Sequence, residues 1–95
     1  MKAQLLEKLR ATIAEWAQKH DIETTVIDAQ FSGIGAGVHL LVVARRGFEN
    51  WRWADRERDL FRFINHQFNG NGNFVITRLE TMTEGEYEKF EEVAA

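Results

Sequence analysis

A chain of 95 residues, 44% apolar and 12% aromatic, has material for one hydrophobic core and is too short for two. It has no cysteine, which excludes disulfides, thiolate zinc sites, cysteine-ligated clusters and thiol nucleophiles within the chain. The net charge of −3 argues against a uniformly basic nucleic-acid footprint. That charge is uneven. Residues 45–62 hold six arginines against four acids, whereas residues 80–95 hold six acids against one lysine. No apolar run approaches the ~18 residues of a membrane span, and the charged opening MKAQLLEKLRATIAEW predicts no secretory leader. Together these features predict a soluble, cytoplasmic, single domain over residues 1–95.

From Lys2 to Lys19, apolar residues Leu6, Leu9, Ile13 and Trp16 recur at helical spacing, and Leu5 and Ala17 widen the stripe. Asp21 marks the exit. Ile22–Phe31 is rich in β-branched residues and reads as a first strand. The glycine-rich stretch Ser32–Gly37 leads to VHLLVVA, which predicts an antiparallel hairpin with a mobile tip. That second strand lies between Gly37 and Gly47 and is almost continuously apolar, as a strand covered on both faces is. Val38, Leu40, Val42 and Ala44 line one side; His39, Leu41 and Val43 line the other.

A second helix starts between Asn50 and Asp55 and offers Leu60, Phe61, Ile64 and Phe68 to a core. It stops at Asn69–Asn73, a strong turn signal. Phe74–Thr81 is a third strand, and a strand reached through one helix should lie parallel to the one before it. Thr83 and Glu86 form a capping box, with Met82 and Tyr87 at the staple positions. A last helix over Glu84–Val93 then turns Tyr87, Phe90 and Val93 inward. The predicted fold is α+β, in the order α-β-β-α-β-α.

At this point the residues resemble the BolA-like proteins. The matches are His39, Phe48–Glu49 and Arg56–Arg58 in the central segment. Thr81, Met82, Thr83, Glu86 and Tyr87 match in the closing one. The likeness spans roughly residues 20–92. It implies a type II KH-like topology: a three-stranded mixed sheet with helices mainly on one face. Two departures bear on function. The family's histidine ligand for an iron–sulfur cluster, shared with a monothiol glutaredoxin, aligns with Val75. The second ligand position, in the hairpin loop, aligns with Ile34. Neither side chain binds metal, so the resemblance carries no cofactor or metal site to this chain.

The candidate binding residues are Arg45, Arg46, Trp51, Arg52, Trp53, Arg56, Arg58 and Arg62. Arginine offers planar paired donors to phosphate, and tryptophan offers a stacking face to bases. The competing reading packs the tryptophans over the sheet edge and pairs the arginines with Asp55, Glu57, Asp59 and the acidic tail. Arg56 and Asp59 have the spacing of a local ion pair, while Arg58 and Arg62 repel and call for an acidic partner. Gly33–Gly37 precedes a strand, so it lacks the helix N-terminus that a phosphate cradle needs. A KH-type GxxG grip is missing. His20, His39 and His66 are scattered without metal-ligand spacing, and His39 reads as a structural residue with a hydrogen-bonded ring. Whether His66 meets His39 across the fold is left open. No elbow motif surrounds Ser32 and no acid pair stands out, so no enzyme is predicted. The expectation is a small non-catalytic binding or regulatory domain acting through protein–protein contacts, self-association included. Single-stranded nucleic-acid binding through residues 45–62 is the alternative.

Overall fold

In a computed structural model of the chain, residues 2–68 and 74–94 are described. The turn expected at Asn69–Asn73 and the side chain of Val93 lie outside the described set. Six elements follow in order: α1 (Lys2–Lys19), β1 (Glu23–Phe31), β2 (Gly37–Arg46), α2 (Trp53–Phe68), β3 (Val75–Thr83) and α3 (Glu84–Ala94). This is the α+β order expected, and the three strands form one mixed sheet in the order β1-β2-β3. β1 runs antiparallel to β2 and β3 runs parallel to it.

Local chemistry sets the element ends. α1 stops because Asp21 takes a left-handed conformation, φ 55°. The Asp21 N–H then returns to the Gln18 carbonyl at 3.3 Å and the Ile22 N–H to the Ala17 carbonyl at 2.9 Å. That is a Schellman closure, with aspartate where glycine is commonest. The capping box of α3 forms as predicted. Thr83 N–H donates to Glu86 Oε1 at 2.8 Å, and Glu86 N–H donates to Thr83 Oγ1 at 3.1 Å. The turn from β2 towards α2 depends on Gly47, whose φ of 114° suits glycine alone. A Cβ there would lie 2.8 Å from the Ile22 Cα.

The core lies on one face of the sheet, beneath α1 and α2. Leu9, Ile13 and Trp16 from α1 meet Val38, Leu40, Val42 and Ala44 from β2 and Leu60 and Ile64 from α2. Side chains alternate along a strand, so the register sends Val26, Asp28, Gln30, His39, Leu41, Val43, Arg78, Glu80 and Met82 to the other face. α3 shields this face in part. Tyr87 stands beside Val26 and Val43, and Phe90 beside Leu41. Val43 is buried, but His39 and Leu41 are only half-buried, so β2 is not covered on both faces along its whole length.

Two further expectations are corrected. In α2 the buried line is Arg56, Leu60 and Ile64, at i, i+4 and i+8, and Phe61 stands exposed beside it. In α3 Phe90 is exposed as well, because the helix meets only one end of the second face.

Candidate functional site

The arginine–aromatic segment divides three ways. Arg45 and Arg46 close β2, where the register brings Glu23 opposite Arg46. Both guanidinium groups pair with Glu23, at 3.5 and 3.2 Å, and Arg45 also lies 4.0 Å from Glu84. The second group turns inward. Trp51 is half-buried against Trp16 and His20, with ring centres at 5.6 and 4.9 Å, and meets Phe48 edge-on at 6.4 Å. Its flanks are taken by protein, which leaves little stacking surface for a base. The third group is exposed: Arg52 just before α2, and Trp53, Arg58 and Arg62 on it.

Arg56 is the most consequential member. It is 2% exposed. Its Nε donates to Thr81 Oγ1 at 2.8 Å, Nη2 to the Thr81 carbonyl at 2.8 Å and Nη1 to the Trp51 carbonyl at 3.2 Å. Nη2 also meets Glu86 Oε1 at 2.6 Å, and the guanidinium lies 4.6 Å from the centre of the Phe48 ring. A buried charge is tolerated only when its donors are satisfied, and here four protein acceptors share them. Arg56 therefore ties α2 to β3 and α3. The expected Arg56–Asp59 pair does not form. Instead Asp59 accepts from Trp16 Nε1 at 2.9 Å and lies 3.1 Å from His20 Nε2.

Next to Arg56, Glu57 accepts the Thr81 N–H at 2.9 Å. Burial pushes the Glu57 carboxyl above its ordinary value, and the hydrogen bonds from Thr81 and Trp53 offset this only partly. Glu86 goes the other way. Burial again disfavours its ionised form, but the Thr83 N–H and the Arg56 guanidinium outweigh it and hold the carboxyl below the ordinary value. Arg58 pairs with Asp55 at 3.3 Å, one turn away and exposed to solvent. So the predicted arginines meet Glu23, Asp55, Glu84 and Glu86. The acidic last helix supplies two of these.

What stays exposed is mainly apolar. Trp53 is 57%, Val75 61% and Ile34 83% exposed, with Phe61 and Phe90 also open. Ile34 and Val75 are the positions where the resemblance would seek metal ligands. They lie at the same end of the sheet, where Gly37 pairs with Val75 and the hairpin tip is held by Ser32 Oγ against the backbone of Ile34. Among the described residues no group of three His, Cys, Asp or Glu side chains could hold a metal ion.

A site missed by the sequence reading lies on the second face of the sheet. Asp28, Gln30, His39, Arg78, Glu80 and Phe90 surround an open groove of about 200 Å³. His39 is paired through its backbone to β1 and β3, but its ring makes no side-chain hydrogen bond among the described residues, so the bond expected at a ring nitrogen does not form. His66 is exposed on α2, across the sheet, so the two histidines do not meet. The signal was the alternation of polar residues at Asp28 and Gln30 and again at Arg78 and Glu80, which marks a half-solvated face.

Comparison of the chain with protein-family models, with curated proteins and with solved structures finds no match. Among the described residues no helix is long and apolar enough to cross a membrane.

Proposed function

We propose that this chain is a small non-catalytic binding domain that acts through protein–protein contacts, in the cytoplasm, and that it is BolA-like in kind. The observation that carries the reading is the fate of the arginine–aromatic segment. Arg56 and Trp51 are committed to the fold, and Arg45, Arg46 and Arg58 are paired with carboxylates. Trp53, Phe61, Val75, Ile34 and Phe90 remain in solvent instead. Exposed large apolar side chains are features of docking surfaces. The element order and mixed sheet agree with the topology that the BolA-like resemblance implies.

The test is cross-linked capture from nuclease-treated extract, comparing the wild type with a Trp53→Ser, Phe61→Ser double variant. Proteins retained by the wild type and lost by the variant are the expected result. Retention that disappears with nuclease treatment alone would refute the reading.

A second reading, single-stranded nucleic-acid binding, draws on one observation: Trp53 is exposed next to Arg52, with Arg58 and Arg62 on the following turns. Titration with short single-stranded RNA and DNA at low salt, read by tryptophan fluorescence, separates the two. A flat response is expected. Saturable quenching that weakens with salt and with Arg52→Ala and Arg62→Ala would favour the nucleic acid.

A further inference from the structure

We infer that the groove between α3 and the second face of the sheet receives Arg58, Phe61 and Arg62 of α2 from another copy of the chain. The copies join head to tail, because α2 and α3 pack on opposite sides of the sheet. This rests on the protein-docking reading above and names its partner.

The groove exists because α3 packs against β3 and β2 and leaves a gap beside β1. It holds about 320 Å³, room for an aromatic side chain. Val26 pairs with Val43 across the ladder, so the sheet side of the groove is apolar. On the helix side stand Tyr87 and two carboxylates, Glu84 and Glu88. Arg45 reaches Glu84 only at 4.0 Å and sits nearer Glu23, at 3.5 Å. Glu88 and Glu92 are exposed, and neither forms an ion pair among the described residues. An aromatic side chain flanked by cations is the complement of such a groove.

α2 carries that complement. Phe61 is 43% exposed. Helical spacing puts Arg58 one turn before it and Arg62 next to it. Arg62 is exposed and forms no ion pair among the described residues. Arg58 holds only Asp55, in a pair whose two side chains are both open to water, and such pairs are weak enough to exchange. Like charges therefore recur every four residues on both helices: Arg58 and Arg62 on α2, and Glu84, Glu88 and Glu92 on α3. Four residues rise about 6 Å in either helix, so the two ladders match in step. Each ladder repels itself within its own helix, and the other relieves it. With α2 laid along α3, Arg58 and Arg62 meet two of the glutamates while Phe61 enters the groove.

Within one chain the ladders cannot meet. Leu60 and Ile64 hold α2 on the core face, and Tyr87 and Phe90 hold α3 on the other. The matching surface therefore comes from a second copy. A contact between two unlike surfaces leaves each end free to add a further copy.

Sedimentation velocity from ~1 µM to ~1 mM at low salt tests this. The average mass of the wild type should rise past that of a dimer, and ~0.5 M NaCl should reverse the growth. Two variants each block one surface: Phe61→Ser with Arg62→Ser on α2, and Glu88→Lys at the groove. Each alone should need on the order of tenfold more protein to associate. Mixed, they should form a 1:1 dimer that grows no further, because the first keeps its groove and the second keeps its α2 face. Thermal melts of each variant separate lost association from lost folding. A wild type that stays monomeric at ~1 mM overturns the proposal. So does one that stops at a symmetric dimer, a folded Glu88→Lys that associates like the wild type, or a mixture of folded variants that fails to pair. If a monomeric wild type still captures other proteins through Trp53 and Phe61, self-association alone is overturned. If it captures none, the docking reading falls as well.

Discussion

Replacing Arg56 by methionine keeps an unbranched stem but removes every donor from a site that is 2% exposed. The Thr81 and Trp51 carbonyls and Thr81 Oγ1 then lose their partner at once. Each buried acceptor left without a donor costs about 1–3 kcal/mol. Glu86 adds little, since half of its side chain is exposed and can regain water. Three acceptors near the low end of that range give a loss of about 3 kcal/mol. For a domain of this size that lowers the thermal midpoint by roughly 12–24 °C. Urea unfolding followed by tryptophan fluorescence and circular dichroism measures it. Arg56→Lys keeps the charge but not the fork and should lose roughly half as much. Glu86→Gln should cost under about 1 kcal/mol. An Arg56→Met protein within about 1 kcal/mol of wild type would refute the reasoning. So would Glu86→Gln proving as costly as Arg56→Met, because the ion pair and not the backbone acceptors would then dominate.

Two further outcomes follow from the geometry. Gly47→Ala forces a side chain into a φ of 114° and sets its Cβ 2.8 Å from the Ile22 Cα. It should cost about 2–4 kcal/mol in urea unfolding, and a loss below about 1 kcal/mol would show that the turn relaxes freely. The two perturbed glutamates have opposite pH signatures. Glu86 is held below its ordinary value of 4.5, so its contribution is complete above that pH and is lost as pH falls through its folded-state value. Glu57 is raised above 4.5, so the fold favours its neutral form, and that contribution fades as pH rises through the raised value. Urea unfolding between about pH 3 and pH 7 should therefore show the wild type's advantage over Glu86→Gln shrinking on acidification. Its advantage over Glu57→Gln should grow. Parallel slopes for the two variants would contradict both assignments.

The chain shows plainly in its sequence whatever depends on neighbours within a few residues. Leu6, Leu9, Ile13 and Trp16 mark α1, VHLLVVA marks β2, and Thr83 with Glu86 marks the start of α3, because periodicity and capping are local. The same locality explains the mixed sheet, since a short loop joins β1 to β2 and a helix joins β2 to β3. The candidate site was only half legible. Trp51 and Trp53 are two residues apart and look alike on paper. One is held against Trp16 and His20 from a distant helix, and the other stands in solvent. Arg56 reads as a surface charge on an amphipathic pattern, because pattern counting sends every charge outward. It is buried because its acceptors at Thr81 and Glu86, 25 and 30 residues further along, converge on it once β3 and α3 are in place. Phe61 loses its expected core position for the same reason: Arg56, Leu60 and Ile64 already occupy the inward line. The polar groove around His39 likewise needs three strands in register before its residues meet. Local sequence determined which elements form and where they end. Tertiary packing decided which arginine is structural and which tryptophan is exposed, because both outcomes rest on partners far apart in the chain.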